Sequence, residues 1–149
     1  MFIDGLINAD AMPALEAVAK LAARRQELIQ HNIANFSTPR FEPVDVDVAE
    51  FREALARAVD RRREQFGGQR GELPIKSTST VEAVKEGNDL RLTLHPKAIG
   101  ENILFHDRNN RDLERIMQDL VENVGTFRVA TELWKSRMGL LQGAIREQA

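Results

Sequence analysis

Apolar residues recur at a regular spacing in the C-terminal part of the chain, from Leu113 to Ile145. Steps of four and three residues alternate strictly, which is the heptad repeat of a coiled coil, and only Thr131 places a polar side chain in the line. The pattern predicts a coiled-coil helix over residues 110–149, with its N-cap at Asn109 or Asn110. The apolar members of the line, here named the C-terminal seam, are Leu113, Met117, Leu120, Val124, Phe127, Trp134, Met138, Leu141 and Ile145.

The N-terminal part carries a shorter repeat that predicts a second long helix, from Ala11 to about Asn35, within an N-terminal region of residues 1–36. Asp10 is the predicted N-cap, and Pro39 ends the helix because the residue before a proline avoids the helical conformation. The small and apolar members of this repeat are Met12, Leu15, Ala19, Ala22, Ile29 and Ile33. Two heptad helices at opposite ends of one chain predict a coiled-coil hairpin or bundle.

Residues 37–109 have a mixed pattern that predicts a turn, a short helix and a few strands. Helical spacing returns over residues 49–66, and a glycine-rich stretch then breaks it. Alternation of apolar and polar residues predicts strands over residues 44–48 and 90–94, and a weaker strand over residues 103–105. The predicted fold class is therefore mainly α, with long terminal helices and a small irregular β-containing middle region.

Several apolar residues lie off both heptad lines, namely Leu21, Leu28, Ile116 and Leu133. A single pair of helices covers only one face of each, so these residues need further cover. We therefore expect both chain ends to become fully buried only among neighbouring subunits, as a homo- or hetero-oligomer.

Composition and charge exclude several classes of protein. The 21 basic and 23 acidic side chains give a net charge of −2, which lacks the positive excess of a nucleic-acid binder. No stretch approaches the roughly 20 apolar residues of a membrane span, and no apolar core of a cleavable signal peptide stands near the N-terminus. The absence of cysteine excludes disulfides and thiolate catalysis.

Candidate chemistry is sparse. No two of the three histidines, at positions 31, 95 and 106, share helical spacing, so no metal site is predicted from them. Asp45 and Asp47 could hold a cation on one face of a strand, although solvent-facing positions explain them equally well. The loop beginning at Gly67 lacks the Lys-Ser/Thr pair of a phosphate-binding loop, and no serine has the context of a nucleophile. We predict no catalytic residue, cofactor or metal.

The segment after the first helix carries a recognisable motif. Its residues Asn32, Ala34, Asn35, Thr38, Pro39 and Phe41 resemble the Ala-Asn-x-x-Thr-Pro-Gly-Tyr/Phe signature of the flagellar rod, hook and hook-filament junction family. Residues 109–117 also resemble the opening of that family's last helix.

The resemblance implies a structural subunit of the proximal rod of the bacterial flagellar basal body. Such a protein leaves the cell through the flagellar export gate without a cleaved signal peptide and polymerises through its terminal helices. Its partners would be other rod subunits, the basal-body ring and the export gate. The alternative is a soluble cytoplasmic adaptor, a helical hairpin that dimerises through the C-terminal heptads.

Arg40 departs from the family signature, which has glycine after the proline. A Pro-Gly pair suits a type II turn, whose second central residue needs a positive φ, and arginine disfavours that conformation. We therefore predict a type I or extended turn at Pro39-Arg40.

Overall fold

The computed structural model describes residues 11–68, 71–87, 89–99 and 113–147. Within these ranges the chain is mainly helical, as predicted, with a small β region. In chain order the elements are α1 (Met12–Ala34), β1 (Val44–Asp45), α2 (Val48–Phe66), β2 (Val81–Glu86), β3 (Asp89–Leu94), β4 (Lys97–Ala98) and α3 (Leu113–Glu147). The predicted strand at 103–105, His106 and the predicted cap at Asn109 or Asn110 lie outside the described residues.

Helix α1 has the predicted extent but not the predicted N-cap. The cap position is Ala11, which has no side-chain hydrogen bond to the helix, whereas Asp10 lies outside the described residues. A proline in the first turn lowers the cost of this start because it has no N–H to satisfy. At the other end the backbone N–H of Asn35 donates to the carbonyl of His31, 3.1 Å away.

Helix α2 is bounded by two local signals. The carboxylate of Asp47 accepts a hydrogen bond from the backbone N–H of Glu50 at 2.8 Å, which is N-capping. Gly67 ends the helix with a φ of 68°, in the left-handed conformation that glycine adopts without a Cβ clash. The predicted helix is thus confirmed, but the strand predicted over residues 44–48 is only two residues long because Asp47 starts a helix.

The hydrophobic core lies between α1, α2 and the β2–β3 hairpin. Phe51 of α2 and Val81 of β2 are almost completely buried, at 1% and 0% exposure. The α1 helix contributes Ala17 and Leu21 to the same cluster. Its heptad residues Met12, Ala22 and Ile29 are also buried. This chain covers three of the six residues of the N-terminal repeat from within, whereas Leu15, Ala19 and Ile33 are only half-buried, so this helix needs less further cover than predicted.

The β region contains two strands that the apolar pattern did not predict, β2 and the two-residue β4. β2 pairs with β3 in an antiparallel hairpin, with Val81 opposite Leu94 and Glu86 opposite Asp89. Most β2 side chains are exposed, so the strand lacks a clear apolar face. A second pair joins β1 to β4, with Val44 opposite Ala98.

Helix α3 packs antiparallel to α1. Asp119 contacts Arg25, Asn123 contacts Ala22, and Thr126 lines a cleft with Val18, so residue numbers fall along α1 as they rise along α3. Both helices rise by about 1.5 Å per residue, so the part of α3 after about Trp134 extends past the described start of α1. None of the helices in the described ranges is long and apolar enough to cross a membrane.

The contact line between α1 and α3 differs from the C-terminal seam. The buried residues of α3 are Ile116, Asn123 and Ala130, spaced by seven. Each stands one position before a member of the predicted heptad line. The predicted coiled-coil hairpin is therefore not confirmed, because the buried residues of α3, which include a polar and a small side chain as well as Ile116, lie beside the most apolar line and not on it.

Candidate assembly interface

The side chain of Asn32 fastens the chain after the turn to the end of α1. Its Nδ2 donates to the carbonyl of Val44 at 2.8 Å, and its Oδ1 accepts from the N–H of Val44 at 3.1 Å. These are the two hydrogen bonds that a neighbouring strand would make with that residue. Asn32 is 3% exposed, so water competes little for either bond. This motif residue thus fixes where the chain leaves the helix.

Replacing Asn32 with aspartate should lower the free energy of unfolding by about 2 kcal/mol, because a carboxylate would face the carbonyl oxygen of Val44 and leave it without a donor. The two side chains have nearly the same size, so loss of packing does not account for the effect. Urea unfolding followed by circular dichroism measures it. The matched change Asn35→Asp, at a more exposed motif position, should cost less than about 1 kcal/mol. Equal losses at the two positions would contradict the role assigned to Asn32.

The remaining motif residues form the turn that Asn32 closes. The Nδ2 of Asn35 donates to the carbonyl of His31 at 2.9 Å, and the backbone N–H of Thr38 donates to the carbonyl of Asn35 at 2.9 Å. The ring of Phe41 is half-buried and meets the ring of His31 edge-on, with centroids 5.6 Å apart. Ala34 is the last residue of α1 and is exposed. The structure therefore brings the motif together around the C-terminus of α1.

The prediction of a type I or extended turn at Pro39-Arg40 is wrong. Arg40 has a φ of 61°, which a type I turn does not allow at its second central residue. The N–H of Phe41 donates to the carbonyl of Thr38 at 3.2 Å, so the turn is closed. The chain is held at both ends of this segment, by the end of α1 and by the Asn32–Val44 hydrogen bonds. This tertiary constraint overrides the local preference of arginine.

Replacing Arg40 with glycine should raise the free energy of unfolding by about 1 kcal/mol. A positive φ costs a residue with a Cβ about 1–2 kcal/mol, and the greater backbone entropy of glycine offsets part of that gain. Thermal or urea unfolding tests this. Arg40→Ala retains the Cβ and should give no comparable gain, so an equal effect of alanine and glycine would show that the backbone conformation is not the cause.

Arg25 connects α1 to two other elements through a largely buried charge. Its Nε and Nη2 donate to the carboxylate of Asp45 at 2.9 and 2.6 Å, and Nη2 also donates to Asp119 of α3 at 3.2 Å. Burial alone would lower the pKa of Arg25, but the hydrogen bonds and charges of the two aspartates outweigh burial and raise it above the ordinary arginine value. The guanidinium therefore stays charged and holds β1 and α3 against α1.

Asn123 supplies the second polar connection between α1 and α3. Its Nδ2 donates to the carbonyl of Ala22 and to the side-chain oxygen of Gln26, both at 2.9 Å. The neighbouring Glu122 accepts from Arg52 of α2 at 3.3 Å on the surface. A buried asparagine in a helix pair favours the one register in which its hydrogen bonds are made.

The C-terminal seam remains partly open to solvent. Leu113, Met117, Phe127 and Ile145 are exposed, whereas Leu120, Val124, Trp134, Met138 and Leu141 are half-buried. Large apolar side chains outside the seam are exposed too, at 72% for Val121 and 65% for Leu140. The cover that the sequence predicts for this helix is therefore not supplied by the part of the chain that the structure describes.

The other candidate sites have structural roles. Asp45 is paired with Arg25, and Asp47 caps α2, so they do not form the pair on one strand face that was considered for a cation. His31 and His95 are exposed. No group of three or more potential metal-ligating side chains occurs within the described ranges.

Sequence reasoning did not identify Arg25 and Asn123 as structural contacts. Arg25 has a sequence signal, because it stands three residues after Ala22 and four before Ile29, within the buried stripe of α1. A charge at such a position indicates a buried partner.

Comparison with known proteins gives no match to any protein-family model and none to any curated protein.

Proposed function

We propose that this protein is a structural subunit of the proximal rod of the bacterial flagellar basal body. Within the flagellar rod and hook family the sequence most resembles the basal-body rod protein FlgB. The chain would be exported without a cleaved signal peptide and would assemble with other rod subunits, close to the basal-body ring and the export gate. Its role is mechanical, with no cofactor and no catalysis.

The observation that carries the proposal is the exposed apolar surface of α3. This helix has 35 residues, and its exposed apolar side chains include Val121, Leu133 and Leu140. Exposed apolar surface on this scale is typical of a site of association. A helix with apolar residues on more than one side suits packing between several neighbours, as in the wall of a helical assembly.

The motif turn gives independent support. Six residues that resemble the family signature surround the exit from α1, and Asn32 makes a specific pair of buried hydrogen bonds there. Such a turn sets the direction of the chain between a terminal helix and the middle region. A subunit of a regular assembly needs that direction to be the same in every copy.

Locating the protein in the cell tests the proposal. An antibody or a short tag should detect it in purified hook–basal bodies of the bacterium that encodes it, and deletion of its gene should give non-motile cells without rods. A ribosomal protein serves as the cytoplasmic contamination control. Recovery only from the cytoplasm, as a dimer, would instead support the adaptor alternative and contradict the rod proposal.

A further inference from the structure

The hydrogen bonds of the β2–β3 hairpin show which backbone groups face its outer edges. The N–H of His95 donates to the carbonyl of Thr80 at 2.8 Å, so these residues, just outside the two strands, form a hydrogen-bonded pair. Hydrogen-bonded and non-hydrogen-bonded pairs alternate along an antiparallel ladder. The register therefore directs the backbone N–H and C=O groups of Leu90, Leu92 and Leu94 away from β2.

The outer edge of β2 is covered by the segment of chain that precedes it. The same alternation directs the backbone groups of Val81 and Ala83 away from β3. The N–H of Thr78 donates to the carbonyl of Val81 at 2.8 Å, and the Thr78 hydroxyl oxygen accepts from the N–H of Val81 at 3.0 Å. The hydroxyl oxygen of Ser77 accepts from the N–H of Ala83 at 3.1 Å. Addition of another strand is thus blocked along this part of β2.

The outer edge of β3 is largely open within the described ranges. The carbonyl of Leu90 accepts a hydrogen bond from Nζ of Lys20 at 2.9 Å. No other described residue bonds to the outward N–H and C=O groups of Leu92 and Leu94. Leu92 is only 7% exposed, and roughly nine in ten or more of buried backbone groups are paired in proteins. Unpaired backbone groups at a buried residue indicate a site for a hydrogen-bonding partner.

This edge borders a cleft of about 550 Å³, within the roughly 300–1,000 Å³ of known ligand sites. One wall is a flank of α1 that includes Lys20 and Glu27, and the other is formed by the end of the hairpin and by β3 as far as Leu92. The helical wall also contains Ala23, a small and exposed residue that leaves room beside the strand. The open backbone groups of Leu92 therefore lie at a space that an extended segment can enter.

We propose that the outer edge of β3 binds an extended peptide segment of a partner protein by strand addition. The backbone of the partner pairs with the N–H and C=O groups of Leu92 and Leu94, and such main-chain pairing supplies most of the affinity in this mode of recognition. The inference does not depend on the proposed function and goes beyond it.

The charges of the cleft define the partner's chemistry. Three basic and three acidic side chains line it, namely Lys20, Arg24, Arg91, Glu27, Glu86 and Asp89. A segment without net charge complements such a balanced lining, and β-branched residues favour the extended conformation that pairing requires. A second copy of this chain suits the cleft less well, because its own β3 edge is bordered by its own α1. A single extended segment enters without a helix beside it.

A labelled peptide tests the proposal directly. The probe is a short fluorescent peptide of alternating threonine and valine, with Gly-Ser at each end for solubility. Fluorescence anisotropy should show saturable binding to the full chain. Hydrogen exchange followed by NMR should show slower exchange of the Leu92 and Leu94 amides when the peptide is bound. The amides of Arg91 and Thr93 should change little, because they already bond to β2.

Two matched comparisons identify the binding site and its chemistry. A peptide N-methylated at every threonine and valine keeps the side chains but loses the N–H donors, so it should bind several-fold more weakly. Ala23→Trp fills the cleft from the helical wall and should also weaken binding several-fold. Ala56→Trp changes an exposed alanine of α2 that does not line the cleft, and it should bind the peptide like the unmodified protein. Circular dichroism checks that both variants are folded.

The proposal is overturned if the peptide shows no saturable binding at millimolar concentration, or if it binds without slowing exchange at Leu92 and Leu94. Equal binding of the N-methylated peptide would also refute it, because the backbone would then not be recognised. Dimers that protect the same two amides without peptide would show a second copy at this edge and contradict the peptide proposal. None of these results depends on whether the protein is found in basal bodies, so the proposed function is tested separately.

Discussion

Replacement of Arg25 with methionine is expected to lower the free energy of unfolding by about 3 kcal/mol. The change leaves the carboxylates of Asp45 and Asp119 without their shared cation, and removing one partner of a buried pair costs about 3–5 kcal/mol. The lower end applies because the two carboxylate side chains retain 17% and 26% exposure. Urea unfolding followed by circular dichroism measures the loss.

The neighbouring Arg24 provides the matched control. Its side chain is 58% exposed and its contact with Glu27 is 3.5 Å long, so Arg24→Met should cost less than about 0.5 kcal/mol. Adding Asp45→Asn and Asp119→Asn to the Arg25→Met chain should recover part of the stability, because the uncompensated charges are then removed. Equal losses in the two single variants would contradict the assigned ion-pair network.

From the proposed function, replacement of Trp134 with aspartate is expected to abolish rod assembly and motility while the protein is still exported. Trp134 is a half-buried member of the C-terminal seam. It lies where α3 extends past the described start of α1, so a charge there opposes burial against a neighbouring helix. Motility in soft agar, immunoblots of secreted protein and electron microscopy of basal bodies measure the three effects.

Ser136→Asp is the charge-matched control for this experiment. Ser136 is exposed, two residues from Trp134 and off the C-terminal seam, so the added charge should leave motility near the unmodified level. Circular dichroism should show similar helix content in both variants, because neither position belongs to the core. Normal motility of the Trp134→Asp strain would count strongly against the seam as an assembly surface.

The extent of the helices could be predicted because their signals are local. The heptad spacing defines α1 and α3, and Gly67 marks the end of α2 as the glycine-rich break predicts. Strand β3 was predictable for the same reason, since its leucines alternate with polar residues. Strand β2 was not, because Glu82, Val84 and Lys85 are exposed and leave no continuous apolar face. The Gly87-Asn88 pair ahead of β3 is the hairpin signal that could have found it.

The contact between α1 and α3 could not be read from apolar periodicity. That pattern identifies the most hydrophobic line of a helix, whereas this contact follows the hydrogen bonds of Asn123 and the charge of Arg25. The conformation of Arg40 was equally inaccessible, because it results from the hydrogen bonds of Asn32 to Val44 and not from the turn residues alone. Both structures depend on polar side chains. The partners of Asn123 and Arg25 are distant in the sequence, and the partner of Asn32 lies beyond the turn.

The side-chain amide of Asn32 also opposes aggregation by addition of a foreign strand. An edge strand with unpaired backbone N–H and C=O groups can pair with a strand of another molecule, and aggregation commonly starts at such an edge. At Val44 the backbone donor and acceptor are both already occupied by a side chain of the same molecule. Addition of a foreign strand is therefore blocked at this residue, whatever surface of the molecule associates with its neighbours.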